Sequence, residues 1–195
     1  MAMRDDQPLL LSKFDVAERQ LLQAIRLFFK EEDEVSIHTL SEAAAQVLCD
    51  IGGEYDVKSI LRDSDRIRPE RRREWLAVVS KSRNFFKHAD RDKHNVLEFK
   101  SIFNDMSILD AVTMYQTIKK RWTPETILFL MWFGLRYPDL LLEDSDLKTA
   151  LDSLAAKDYA SNQDNKASFA WAIDNLRSGD LTIPNVVTYM GICEI

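Results

Sequence analysis

One short segment near the middle of the chain contains residue types that can perform acid–base chemistry on a phosphate. It reads Arg83-Asn84-Phe85-Phe86-Lys87-His88. An imidazole titrates near neutrality and can accept or donate a proton, while a guanidinium presents paired donors that match a phosphate group. We therefore take Arg83, Asn84 and His88 as the candidate catalytic residues, with His88 moving the proton, Arg83 holding phosphate and Asn84 orienting the scissile group.

The spacing of these residues constrains how they can meet. On an α-helix Asn84 and His88 share one face with Lys81 and Arg91, whereas Arg83 lies about 140° around the helix axis from His88. Arg83 and His88 can converge if the helix ends near His88, or if a second protomer supplies one of them across a two-fold interface. The second arrangement predicts a homodimer with a composite site.

The segment lies in a basic part of an acidic chain. Residues 62–93 contain 11 of the 26 Lys and Arg residues, against six acids. The candidate RNA- or phosphate-binding residues are Lys87, Arg91 and the run Arg71, Arg72 and Arg73. A solvated helix face with ion pairs between neighbouring turns explains such a charge run as well, and that interpretation stays open.

The pattern Arg83-Asn84-x-x-x-His88 resembles the R-x4-6-H signature of the HEPN superfamily, in which a polar residue commonly follows the Arg. The resemblance implies a helical bundle with this motif on a late core helix. It also implies a metal-independent ribonuclease, often the toxin or effector of a defence system, that works as a dimer. These expectations apply to Arg83, Asn84 and His88.

A second resemblance covers about the first half of the chain. Residues 24–29, 35–40 and 84–92 are similar to stretches of an uncharacterised family of small bacterial helical proteins, and this likeness implies no activity. In the alternative without catalysis, Phe85 and Phe86 fill the core, His88 caps carbonyls at a helix end and Arg83 is solvated. The sequence favours a non-catalytic protein- or ligand-binding role, regulatory or scaffolding, with the ribonuclease as the alternative.

A metal site is the third hypothesis. His38, His88, His94, Asp90 and Asp92 can assemble one if the second helix packs on the third, because imidazole and carboxylate suit several transition metals. No ligand spacing supports it, so we assign no metal ligand and predict no cofactor. The two cysteines lie far apart and show no zinc-site spacing.

Composition limits the remaining classes. A formal charge of -6 excludes a surface that binds phosphate throughout. The most apolar stretch, residues 127–135, is about half of the roughly 20 residues that span a bilayer, and no signal segment precedes it. We expect a cytoplasmic protein without a membrane segment.

Apolar periodicity and helix-start signals predict an all-α bundle of about six to seven helices with a short irregular C-terminal tail. The domain prediction is a flexible N-terminus over 1–12 and a single helical domain over 13–195. Core helices occupy about 13–135 and a helical extension about 139–195. The predicted helices cover about 12–30, 37–51, 69–88, 99–118, 124–137, 145–157 and 166–177, and residues 54–69 are expected to form a long mobile loop.

Overall fold

The computed structural model describes residues 8–63, 67–88, 90, 93–141, 148–149, 166–184 and 186–191, and these residues form six α-helices and no β-strand. The helices are α1 (Lys13–Phe29), α2 (Glu34–Ile51), α3 (Arg72–Lys87), α4 (Ile102–Lys119), α5 (Pro124–Arg136) and α6 (Lys166–Ser178). Short 3-10 turns occupy Gly52–Tyr55, Pro69–Arg71 and Pro138–Leu140. The predicted all-α bundle is confirmed.

Two helix starts follow directly from local sequence chemistry. The Ser12 hydroxyl accepts a hydrogen bond from the Asp15 amide, and the Asp15 carboxylate accepts one from the Ser12 amide. Thr123 and Thr126 form the same reciprocal arrangement around Pro124 at the start of α5. These caps satisfy amides that have no partner inside the helix, so the predicted starts of α1 and α5 are confirmed.

The hydrophobic core lies between α1, α2, α4 and α5, with α6 packed against α5 and α1. An aromatic cluster joins α1 to α5, in which the Phe28 ring lies 4.8 Å from Trp132 and 5.6 Å from Phe129. Each fully buried side chain of this size contributes about 1.5–3 kcal/mol to stability. Helix α3 contributes no residue to this core cluster.

Helix α3 lies at the periphery and packs on α2. Of its residues only Ser82 is buried, and Val78 is 52% exposed. The apolar residues of this helix predict a buried face that comprises Trp75, Val78, Val79, Phe85, Phe86 and Ala89. That prediction is wrong for Val78, whereas Phe86 does pack inward, 5.4 Å from the His38 ring. Ala89 lies outside the described residues.

The segment between α3 and α4 corrects a predicted boundary. We expected Phe99 to belong to the fourth helix, but α4 begins at Ile102 and residues 95–100 have no regular secondary structure. The Phe99 ring instead contacts the rings of His38 at 4.9 Å and Phe86 at 5.5 Å. This tertiary contact outweighs the helical spacing that Phe99 shares with Ile102 and Phe103.

The expected mobile loop over 54–69 is anchored in its described part. The Ser59 hydroxyl donates to the buried Asp110 carboxylate of α4 at 2.8 Å. The Trp75 indole donates to the Leu61 carbonyl, and the Arg72 guanidinium donates to the Arg62 carbonyl at 2.9 Å. These bonds connect the loop to α3 and α4.

The C-terminal tail is coil docked on the bundle, as predicted, over its described residues. Thr188 forms a single parallel bridge with Trp122, and the Tyr189 amide donates to the Trp122 carbonyl at 2.9 Å. The predicted helix over 145–157 falls almost entirely outside the described residues, whereas the one over 166–177 is α6. No helix in the described part of the chain is long and apolar enough to cross a membrane.

Candidate functional site

The C-terminal end of α3 borders a groove of about 540 Å³. Helix α3 ends at Lys87, and the His88 amide caps it by donating to the Asn84 carbonyl at 3.0 Å. The opposite wall is the irregular segment that precedes α4. We call this feature the α3 groove, and its lining residues are Ala77, Lys81, Asn84, Phe85, His88, Asn95, Val96 and Leu97.

The structure brings two of the three candidate catalytic residues together in the α3 groove. Asn84 is exposed and His88 is half-buried, and both line the groove beside Lys81. Arg83 is not among the lining residues. It extends toward α2, where its Nη1 donates to Gln46 Oε1 at 2.6 Å. Helix α3 ends at Lys87, next to His88, but Arg83 and His88 do not meet in the groove within one chain.

A buried carboxylate contributes to holding Arg83 on the α2 side. Glu42 of α2 accepts hydrogen bonds from Arg62 Nη2 at 3.0 Å and from the Ser107 hydroxyl at 2.8 Å. Arg83 Nε lies 3.9 Å from the same carboxylate, and the Arg83 side chain is only 19% exposed. Removing one member of a buried ion pair leaves an uncompensated charge at a cost of about 3–5 kcal/mol. Arg83 is thus part of a structural network.

His38 lies in the same interface, buried between α2, α3 and α4. Its Nδ1 donates to Asn104 Oδ1 at 3.0 Å, and its Nε2 accepts from the Ser82 hydroxyl at 2.7 Å. Burial lowers the pKa of the imidazole below its ordinary value, although the charge of Glu42 and the hydrogen bond to Asn104 act in the opposite direction. A neutral His38 suits this pattern of one donor and one acceptor.

The metal hypothesis finds no assembled site in the part of the chain that the structure describes. No three His, Cys, Asp or Glu residues there are grouped so as to hold a metal ion. His38 is engaged by Asn104 and Ser82, while His88 lines the α3 groove and His94 is exposed. Asp92 lies outside the described residues.

The predicted phosphate-binding residues have different surroundings. Arg71 pairs with Glu74 at 2.7 Å, and Arg72 lies 3.8 Å from Asp63. Arg73 and Lys87 are exposed, and neither has an acidic partner among the described residues. Arg91 lies outside them. None of the four described side chains lines the α3 groove, whose permanent positive charge among the described residues comes from Lys81.

The α3 groove combines polar donors with apolar walls. Lys81 offers an ammonium group, Asn84 an amide and His88 an imidazole, whereas Phe85, Val96 and Leu97 supply apolar surface. Such a lining suits an anionic ligand that also carries apolar groups. Asn84 and His88 were predicted as site residues, whereas Val96 and Leu97 were not. Residues 95–100 show no regular alternation of polar and apolar types that would have indicated them, because Val96 and Leu97 are adjacent.

Known proteins add no further constraint on this site. No family model, no curated protein and no solved structure matches the chain.

Proposed function

We propose that this chain is a non-catalytic binding protein that holds an acidic, partly apolar segment of a partner protein in the α3 groove. The main support for this proposal is that the residues of the Arg83-Asn84-x-x-x-His88 motif lie in two different places. Asn84 and His88 line the groove beside Lys81, whereas Arg83 is bonded to Gln46 on the other side of the helix. The groove can thus bind an anion through Lys81, Asn84 and His88, but it lacks the Arg83 guanidinium that phosphate chemistry would use.

Catalysis places a stricter demand on Arg83 than binding does. A ribonuclease needs a guanidinium close to the phosphate, where negative charge develops in the transition state. To reach the groove, Arg83 would have to leave Gln46 and the buried Glu42. Separating partly buried ionic partners costs several kcal/mol, which opposes such a rearrangement.

The charge distribution favours an acidic partner. Residues 67–88 include seven Lys and Arg residues and two acids, while the whole chain carries a formal charge of -6. Lys81, Arg73 and Lys87 have no acidic partner among the described residues. Complementary potentials steer association and exclude partners of the same charge.

Exposed apolar residues favour a protein segment over a nucleic acid. Val96 is 95% exposed at the groove, and Val78 lies on the same helix as Lys81. Exposed apolar surface rimmed by polar residues commonly marks a protein interaction site. A phosphate backbone would use the positive charge but gain little from Val96 and Leu97.

A direct titration tests the proposal. The probe is a fluorescent, terminally capped heptapeptide that alternates glutamate and valine, and the controls are a lysine–valine heptapeptide and a single-stranded RNA of mixed sequence. We expect the acidic peptide to bind at least about tenfold more tightly than either control at 0.15 M salt. Tighter binding of the lysine–valine peptide would contradict the proposal, and tighter binding of RNA would redirect it to nucleic acid.

The ribonuclease alternative has its own test. We expect the wild-type protein and the variants His88→Ala and His94→Ala to leave the mixed RNA equally intact in EDTA. His94 is the matched control because it is exposed and lies outside the groove lining. RNA cleavage by the wild type that His88→Ala abolishes and His94→Ala retains would show catalysis and would sink the non-catalytic proposal.

A further inference from the structure

We infer that the partner segment binds in an extended conformation, adding its main chain as a strand alongside residues 95–99. This inference rests on the proposed function and specifies how the α3 groove would recognise its ligand. The observations that carry it concern the backbone of the groove wall, not only its side chains.

The groove wall has the side-chain pattern of a half-buried strand. Val96, Glu98 and Lys100 are exposed, whereas Leu97 and Phe99 between them are partly buried. Alternating exposure over residues 96–100 is typical of extended backbone, where successive side chains point to opposite faces, and the pattern begins at Val96 because Asn95 is exposed as well. The segment is therefore strand-like although no second strand pairs with it among the described residues.

The backbone of this segment is available for pairing. Among the described residues, no backbone–backbone hydrogen bond involves the main chain of residues 95–99; the next one along the chain runs from the Phe103 amide to the Lys100 carbonyl at 3.0 Å. A row of unpaired amides and carbonyls is a template for an additional strand. Peptide recognition by strand addition uses this template for affinity and adjacent pockets for specificity.

The segment is also held in place before any ligand arrives. The Phe99 ring contacts His38 at 4.9 Å and Phe86 at 5.5 Å, and His38 is itself bonded to Asn104 of α4. A strand template that is already ordered avoids much of the entropy cost of binding. The inward side chains therefore fix the edge that a partner would meet.

The residues that line the α3 groove can contact both the apolar and the acidic side chains of an added strand. A ligand residue facing the groove would contact Phe85, Val96 and Leu97, which favours an apolar side chain. A carboxylate close to it would reach Lys81, with Asn84 as a further donor. The partner segment is thus extended, with acidic and apolar residues in alternation.

N-methylation of the ligand separates main-chain pairing from side-chain contacts. We compare the capped glutamate–valine heptapeptide with two versions that are N-methylated at the glutamates or at the valines, so that each loses the donors of one edge. We expect one methylated version to bind at least about tenfold more weakly. We also expect bound unmodified peptide to slow amide hydrogen exchange at residues 95–99 by about tenfold or more.

The outcomes separate the two proposals. If all three peptides bind equally, or if bound peptide leaves exchange at residues 95–99 unchanged, strand addition is overturned while acidic-segment binding stands. If the unmodified peptide does not bind at all, both the proposed function and this inference are overturned. Tight binding lost on methylation of one edge, with slowed exchange at residues 95–99, supports both.

Discussion

At the scale of single residues, Glu42 decides what Arg83 can do. Its buried carboxylate accepts from Arg62 and Ser107 and attracts Arg83, whose own hydrogen bond goes to Gln46. In an exposed helix this motif could bind phosphate, but here Arg83 belongs to the interface between α2, α3 and α4. The polar groups left in the α3 groove are therefore those of Lys81, Asn84 and His88.

Removing Glu42 should be strongly destabilising. We expect Glu42→Ala to lower the free energy of unfolding by about 3–5 kcal/mol, because Arg62 and Arg83 would lose a buried counter-charge. Urea denaturation measures the change. The control is Glu74→Ala, which removes an exposed pair with Arg71 and should cost less than about 1 kcal/mol. Equal effects of the two substitutions would contradict this structural role of Glu42.

Protonation of His38 should destabilise the fold. The pKa of His38 is lowered by burial, so between that lowered value and the ordinary 6.5 the unfolded state binds more protons than the folded state. The stability that this group contributes is therefore present above 6.5 and is lost as pH falls through the window. The charge of Glu42 and the hydrogen bond to Asn104 reduce this effect without reversing the direction of the shift.

The His38 prediction is checked by comparing unfolding free energies at about pH 7.5 and about pH 5.5. We expect the wild type and the exposed-site control His94→Gln to lose more stability on acidification than His38→Gln does. His38→Gln should itself be less stable at the higher pH, because two buried hydrogen bonds are disturbed. An unaltered pH dependence in His38→Gln would show that His38 does not titrate in this way.

At the scale of elements, the sequence predicts features that depend on local signals, but it does not predict those that depend on tertiary contacts. The caps at Ser12 and Thr123 are local chemistry, so the starts of α1 and α5 were predictable. The end of α3 next to His88 was also predicted. The partner of Arg83 was not, because Gln46 is 37 residues away in sequence.

The groove wall before α4 could not be predicted from local signals. Phe99 has the spacing of a helical residue relative to Ile102 and Phe103, yet it lies in the irregular segment before α4, where its ring packs on His38 and Phe86. Periodicity cannot reveal that preference, since both partners come from distant helices. Half of the α3 groove was consequently invisible from the sequence, although its α3 side was identified.

A buried carboxylate, Glu18 of α1, anchors the C-terminal tail to the bundle. Glu18 of α1 accepts from the Tyr115 hydroxyl at 2.6 Å and from the Tyr189 hydroxyl of the tail. Burial raises the pKa of both tyrosines far above their ordinary value, so both remain neutral donors. This bond supplements the backbone contact of the tail with Trp122.

Loss of the Tyr189 hydroxyl should weaken the fold. We expect Tyr189→Phe to lower the free energy of unfolding by about 1.5–3 kcal/mol, the range for a hydrogen bond to a charged group. Tyr55→Phe is the matched control, because Tyr55 is half exposed and should change stability by less than about 0.5 kcal/mol. A Tyr189→Phe protein as stable as the control would refute the anchoring role of the hydroxyl.

At the scale of the whole molecule, acidic and basic side chains have different roles. Five acids are buried in the described residues and each is paired with hydroxyl or guanidinium donors, namely Glu18, Glu42, Asp105, Asp110 and Glu125. These bonds connect segments that are distant in sequence. The basic residues concentrate on and around the peripheral α3, where charge is left for a partner.

This distribution explains why one face of an acidic protein should attract an acidic ligand. Two copies of α3 placed face to face would bring like charges together, which complementary binding of an acidic segment avoids. The homodimer inferred from the motif stays a prediction, and light scattering of the purified protein would test it. The α3 groove is complete within one chain and does not depend on that result.

Reversing one charge inside the α3 groove and one outside it tests the assigned binding site most directly. Lys81→Glu and Arg73→Glu change the net charge equally on the same helix, but only Lys81 lines the groove. Titration with the glutamate–valine peptide should show affinity reduced at least about tenfold by Lys81→Glu and changed less than about threefold by Arg73→Glu. Equal losses in the two variants, or no loss in Lys81→Glu, would contradict the assignment of this groove as the binding site.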